Sequence, residues 1–190
     1  PDPAPAAGEV VVRVRASGVN PSDVKLRSGA RPGSVMAYPR IIPHSDGAGE
    51  IVDVGAGVDK ARIGERVWIW NGQWQRPFGT AADFVALPST QAVALPDNVS
   101  FDDAACFGIP AMTAWAAVCG GGSVEGKTVL VTGGAGTVGR YACQMARLSG
   151  ARVITTTSSE AKAKHSTADE WVNYSQGNVV AEVMEMTNGE

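Results

Sequence analysis

The chain has 190 residues, 44% hydrophobic and 18% charged, with a formal net charge of −3. This is the composition of an ordinary soluble globular protein, and it excludes both the basic footprint of a nucleic-acid binder and electrostatic attraction to an anionic membrane. No apolar run reaches the length of a bilayer span and no signal-peptide pattern opens the chain, and the cysteine pattern fits a reducing, cytoplasmic setting. The three cysteines, Cys106, Cys119 and Cys143, are far apart and odd in number, without C-x-x-C spacing. That pattern argues against a zinc ribbon or a disulfide framework and reads each cysteine as a small buried apolar residue.

Taken in order, Pro1 to Ala7 is an extended Pro/Ala-rich lead-in, and Glu9 to Ala16 is a valine-rich strand. Asn20-Pro21-Ser22-Asp23 opens a turn and a short helix through Leu26, and Gly29 to Pro43 is irregular. Strands are expected at Ala48–Val54, Arg66–Trp70, Gly79–Leu87 and Gln91–Leu95, with a loop over Val58–Ile63. Short strands separated by glycine-rich turns predict a small β-barrel-like domain. After Pro96 the pattern changes. Ser100 followed by Asp102 and Asp103 is a helix start, and an Ala-rich helical region runs towards Val118, interrupted by Gly108 and Pro110. Strands at 127–132, 152–157 and 170–174 then alternate with helices at 138–149, 159–166 and 178–187, the signature of a parallel sheet.

The most informative stretch is Val129-Leu130-Val131-Thr132-Gly133-Gly134-Ala135-Gly136-Thr137-Val138-Gly139. A β-branched run enters a glycine cluster and leaves into a helix, which is the context of a dinucleotide site. Glycine lets the backbone turn tightly and approach a pyrophosphate, and the helix start offers it free N–H groups. The glycines at 133, 136 and 139 give G-x-x-G-x-x-G rather than the commoner G-x-G-x-x-G.

These segments together resemble the medium-chain dehydrogenase/reductase superfamily, and within it the zinc-free quinone oxidoreductase branch that includes zeta-crystallin. The likeness is carried by the valine strand with Gly18-Val19-Asn20-Pro21-Ser22-Asp23, by Pro43-His44-Ser45-Asp46-Gly47-Ala48-Gly49-Glu50-Ile51-Val52, and by Ile63-Gly64-Glu65-Arg66-Val67. Leu95 to Ser100, Pro110 to Trp115 and the glycine cluster add to it. The resemblance implies an α/β protein: a GroES-like β-barrel catalytic domain over 1–111 and the first half of a Rossmann doubly wound nucleotide-binding domain over 112–190. It also implies a strand before Pro1 and further segments after Glu190, so the chain reads as part of a longer reductase that is a homodimer when whole.

For the site, the resemblance implies that Gly133, Ala135, Gly136, Thr137, Val138 and Gly139 form the phosphate turn, with the amides of Gly136, Thr137 and Val138 on the pyrophosphate. The second strand of the sheet ends Thr155-Thr156-Thr157-Ser158-Ser159 and carries no acid at its tip. Hydroxyls with a nearby cation suit a 2′-phosphate, so Ser158 and Lys162, with Tyr174 at the adenosine end, favour NADPH. Glu160 is the competing residue that would favour NADH, unless it serves only as a first-turn helix acid. Asn20 and Thr113 match pocket-lining positions of the reductases, against local alternatives: Asn before Pro opens turns, and a helical Thr bonds its own backbone. Lys25 either stabilises negative charge on a reduced oxygen or is a solvated helix lysine. Trp68, Trp70 and Trp74 either wall a flat substrate or belong to the barrel core and a loop. Asn20 and Ser45 stand where the zinc enzymes carry a cysteine and a histidine, so no catalytic zinc is expected. The implied activity is zinc-independent hydride transfer from NADPH to a quinone or another α,β-unsaturated carbonyl. The alternatives are a nucleotide-binding protein without turnover and a zinc-free alcohol or enoyl reductase.

Overall fold

The computed structural model describes residues 2–30, 33 and 35–189, so positions 31, 32 and 34 of the expected irregular stretch lie outside it. The chain forms two units, Pro1–Ile109 and Pro110–Glu190. In the first unit the valine-rich run becomes β1 (Glu9–Gly18), followed by α1 (Pro21–Arg27), β2 (Asp46–Val54), β3 (Arg66–Ile69), β4 (Phe84–Pro88) and β5 (Ala92–Ala94). The strands form one antiparallel sheet in the order β4-β1-β2-β3-β5. Val10, Val12, Ile51, Val67, Ile69, Val85, Leu87 and Ala92 pack into its core. Each such side chain withdrawn from water stabilises the sheet by about 1.5–3 kcal/mol for the larger residues.

Two expected strands are shorter than the sequence pattern suggests. The run from Gly79 joins the sheet only at Phe84, because the amides of Gly79, Thr80 and Ala81 donate to the carbonyls of Ile42, His44 and Pro43. A backbone donor spent on a loop carbonyl is lost to the ladder. The fifth strand starts at Ala92 because Ser89–Gln91 closes a 3₁₀ turn before it. Lys60–Arg62 forms another such turn in the expected loop.

Beyond the sheet, α2 (Phe101–Ala104) is capped by the Ser100 hydroxyl, which accepts from the Asp103 amide at 3.1 Å. Ala104 and Ala105 pack with Ala48 and Leu95, and Phe107 meets Trp68 edge-on at 6.1 Å between ring centres. The next helix, α3 (Gly108–Cys119), is continuous. Gly108 and Pro110 therefore begin the helix rather than interrupt it. Amides of a first helical turn have no acceptor within the helix, so the missing N–H of proline costs nothing there.

In the second unit β6 (Thr128–Thr132), α4 (Thr137–Leu148), β7 (Arg152–Thr157), α5 (Glu160–Ser166), β8 (Glu170–Asn173) and α6 (Val179–Met186) follow in strict alternation. The three strands are parallel, in the order β6-β7-β8. Ala142, Cys143 and Ala146 on α4 and Ala114 and Val118 on α3 pack with Val153 of β7. Small residues along one face of α4 bring it close to the sheet, and this fixes where its first turn sits relative to the strand ends. Among the described residues no helix is long and apolar enough to cross a membrane.

Candidate functional site

The glycine cluster is a tight turn between β6 and α4. Gly133 has φ +69°, and the amide of Gly136 returns to the Gly133 carbonyl at 2.9 Å. Gly136 is the N-cap of α4 in extended backbone and offers no side-chain acceptor. The amides of Thr137, Val138 and Gly139 thus open the helix without a capping group, at its positive dipole end. Thr137 and Val138 are exposed, while Ala135 and Gly139 are half-buried. Gly139 is where α4 passes closest to the turn: a Cβ there would lie 2.3 Å from the Gly133 carbonyl oxygen and 2.8 Å from the Gly134 Cα. This arrangement can hold an anion but has no group that could act on one chemically.

Beyond the end of β7, the Lys162 ammonium donates to the Ser158 hydroxyl at 2.9 Å. Glu160 turns to Lys164, 3.1 Å away in an exposed pair one helical turn on. The Ser159 hydroxyl caps α5 by accepting from the Lys162 amide. Tyr174, exposed just after β8, is set beside this strand end by its amide, which donates to the Thr157 carbonyl at 3.1 Å. Ser158, Lys162 and Tyr174 thus gather at the carboxyl end of β7, on the side of the sheet where open α/β folds bind ligands.

The first unit holds a separate buried polar cluster. Asn20 is 6% exposed and its amide nitrogen donates to Asp46 Oδ2 at 2.8 Å. The same oxygen accepts from the Ile109 amide at 2.8 Å, and the Asn20 backbone N–H donates to Asp23 Oδ2 at 2.7 Å. Asp46 is 1% exposed and its Oδ1 has no hydrogen-bond partner. Desolvation raises the Asp46 pKa above the ordinary carboxylate value and the charge of Asp23 adds to it, against the lowering effect of the two donors. Gly108 is needed here, since a Cβ on it would lie 2.1 Å from Asp46 Oδ1. Nearby, the Ser17 hydroxyl bonds both His44 Nδ1 and the Thr80 hydroxyl at 2.9 Å, and Thr80 Oγ1 in turn donates to the Asp46 carbonyl.

Asn20 and Lys25 therefore lie in the first unit and the remaining predicted residues in the second. Lys25 is exposed in the last turn of α1, whose one buried residue is Asp23. Thr113 is exposed on α3. The tryptophans do not form one wall: Trp68 packs on Phe107, the Trp70 indole donates to the Thr90 carbonyl, and Trp74 is exposed. The expectation of three buried cysteines is corrected, because Cys143 is buried, Cys119 half-buried and Cys106 exposed. Cys106 falls in the turn between α2 and α3, where a helix too short to present a second face leaves it in solvent.

Asp46 and the Ser17–His44–Thr80 group escaped the sequence reading. The available signal for Asp46 was an acid at the start of a strand, followed directly by the small residues Gly47, Ala48 and Gly49. Among the described residues no group of three or more His, Cys, Asp or Glu side chains is placed to hold a metal ion.

Comparison with known proteins gives two family matches. The alcohol dehydrogenase GroES-like domain matches residues 6–97, and the zinc-binding dehydrogenase family matches residues 137–190. The chain is 35% identical over 189 residues to a quinone oxidoreductase of Pseudomonas aeruginosa, covering 97% of this chain and 56% of that protein. It is 37% identical over 158 residues to a zinc-type alcohol dehydrogenase-like protein of Schizosaccharomyces pombe, covering 82% of this chain and 46% of the other. Among solved structures, Escherichia coli quinone oxidoreductase complexed with NADPH is similar with a TM-score of 0.81 at 28% identity, covering 98% of this chain and 57% of that one. The chain spans about half the length of the curated relatives it matches.

Proposed function

The chain belongs to the medium-chain dehydrogenase/reductase superfamily, in its quinone oxidoreductase-like branch, and from that premise we propose that it serves a zinc-independent, NADPH-dependent oxidoreductase acting on a quinone or another α,β-unsaturated carbonyl. The amides of Thr137 and Val138 receive the pyrophosphate, while that of Gly136, expected there as well, is spent on the Gly133 carbonyl. The turn from Gly133 through Ala135 to Gly139 leaves room for the pyrophosphate. Ser158 and Lys162 take the ribose 2′-phosphate, and Tyr174 lies against the adenosine end. Bound in this way, the nicotinamide supplies the hydride. In the first unit Asn20 and Lys25 meet the negative charge that grows on the acceptor's oxygen, and in the second Thr113 contacts the cofactor.

The observation that carries the cofactor reading is the 2.9 Å contact between Lys162 Nζ and Ser158 Oγ, together with the diversion of Glu160 to Lys164. A cation and a hydroxyl paired beyond the strand end suit a phosphate, whereas an acid free to accept from ribose hydroxyls would suit NADH. The similar E. coli quinone oxidoreductase is complexed with NADPH, in line with this reading. Against a catalytic zinc stands the donor set. Asn20 has its amide nitrogen on Asp46, Ser45 stands in place of an imidazole, and among the described residues no three His, Cys, Asp or Glu side chains are gathered into the ligand set that zinc needs.

Titration with both nicotinamide cofactors, followed by fluorescence, is the direct test. NADPH should bind more tightly than NADH, and Lys162→Ala should weaken NADPH by about tenfold, the scale of one charge-assisted hydrogen bond, while leaving NADH unchanged. Preference for NADH would assign the adenosine end to Glu160 instead. Hydride transfer is tested separately, and a lack of NADPH oxidation with a panel of quinones and enones would overturn it.

A further inference from the structure

We propose that Thr155 and Thr156 of β7 are positioning residues for the dinucleotide turn: their hydroxyls take up the amides of Gly134 and Gly133, so that the anion is left to the Ala135 amide and the first turn of α4. The inference rests on the reading of this turn as the NADPH site.

The strand Arg-Val-Ile-Thr-Thr-Thr is buried along all but its first residue. Valine has nearly the shape of threonine and favours strands, whereas a buried hydroxyl costs free energy unless it is hydrogen-bonded. Here both hydroxyls are used. Thr155 Oγ1 donates to the Val131 carbonyl at 2.6 Å and accepts from the Gly134 amide at 3.0 Å. Thr156 Oγ1 accepts from the Gly133 amide at 3.1 Å. Consecutive strand residues point to opposite faces, so the two hydroxyls grip the turn from either side of the sheet.

Gly134 is shaped for this contact, because a Cβ on it would lie 2.1 Å from Thr155 Oγ1. The left-handed φ of +69° at Gly133 turns the chain out of β6 between the two bonded amides. A dinucleotide turn could in principle offer all of its amides to the phosphates. In this one the amides of Gly133 and Gly134 are already spent on β7, and the Gly136 amide closes the turn on Gly133. What remains for an anion is the Ala135 amide and the start of α4, where Gly136 provides no competing cap. The threonines therefore set the height of the turn and leave room above the helix start, without touching the ligand.

The test compares Thr155→Val, Thr156→Val and Thr155→Ser against the unaltered chain, with NADPH and adenosine 2′-monophosphate as probes. The smaller probe carries the 2′-phosphate but no pyrophosphate, so a disturbed turn should not affect it. Both valine variants should weaken NADPH by about five- to tenfold, the worth of one hydrogen bond, and leave adenosine 2′-monophosphate within about twofold. Thr155→Ser, which keeps the hydroxyl, should bind NADPH like the unaltered chain. If Thr155→Val fails to fold, Thr156→Val carries the test alone. Unchanged NADPH affinity in the valine variants, or equal loss of both probes, overturns the inference. Failure of the unaltered chain to bind NADPH overturns the cofactor reading, and this inference with it.

Discussion

Replacing Gly139 with alanine is expected to reduce NADPH affinity by at least about a hundredfold, because the turn we propose as the pyrophosphate cradle depends on a contact that no side chain can enter. The new Cβ would lie 2.3 Å from the Gly133 carbonyl oxygen and 2.8 Å from both Gly133 C and Gly134 Cα. All three are backbone atoms of the turn, so relief requires α4 to move away from the strand end. That movement lifts the amides of Thr137 and Val138 out of register with the phosphates and loosens the packing of Ala142, Cys143 and Ala146 on Val153. The accompanying loss of stability is about 1–3 kcal/mol, the usual penalty for overpacking. Gly136→Ala is the control. Its Cβ would meet only the Gly133 carbonyl oxygen, at 3.3 Å, and its φ of −77° suits any residue, so the fold should persist. Fluorescence titration and thermal melts of both variants check this. Native-like NADPH binding by Gly139→Ala would mean that the turn is not the phosphate site.

The second large effect concerns Asp46, and it separates a charge from its hydrogen bonds. In Asp46→Asn a carbonyl oxygen can still accept from Asn20 Nδ2 and the Ile109 amide, which now share Oδ2 at 2.8 Å each. The new amide nitrogen then occupies the position of Oδ1, which has no partner in the native chain. Asp46→Ala instead strands two buried donors, so it should be about 2–4 kcal/mol less stable than Asp46→Asn at any pH. The native carboxyl has a pKa raised by burial, and it therefore holds its proton in the folded state over a pH range in which the unfolded chain has released it. Stability then falls as pH rises from the ordinary carboxylate value to the raised folded one, and levels off above it. Asp46→Asn should abolish this slope, matching the native chain at low pH and exceeding it above the window. Urea unfolding at acidic and at mildly alkaline pH, followed by tryptophan fluorescence, measures both effects. A stability difference between the native chain and Asp46→Asn that stays constant through that window would show that Asp46 is not a buried carboxyl with a raised pKa. Asp46→Ala would also remove the acceptor that orients the Asn20 amide nitrogen.

Much of the fold was legible because its signals are local. The valine run of β1, the Pro21 start of α1, the Ser100 cap of α2 and the alternation of strands and helices after Lys127 each rest on neighbours within a few residues. The glycine spacing of the turn and the missing acid at the end of β7 were readable for the same reason: a turn and a strand end are set by consecutive residues. The errors lay where a distant partner decides. Gly79 to Asp83 looks like strand, but its first amides are claimed by the segment around Pro43. Gly108 and Pro110 look like breakers, but they fall in a first turn, where their defects cost nothing.

By itself, then, the sequence determined the two architectures, the glycine turn and the set of residues proposed for the cofactor, since periodicity, turn chemistry and side-chain charge are properties of short segments. Only the tertiary structure decided that Glu160 turns to Lys164 while Lys162 meets Ser158, that Asp46 is the buried acceptor holding Asn20, and that β7 hydroxyls hold the glycine turn. Gly133 and Thr156 are 23 residues apart, and Asn20 and Asp46 are 26. Hydrogen bonds across such distances depend on strand register and burial, which the chain acquires only when the sheets close over their cores.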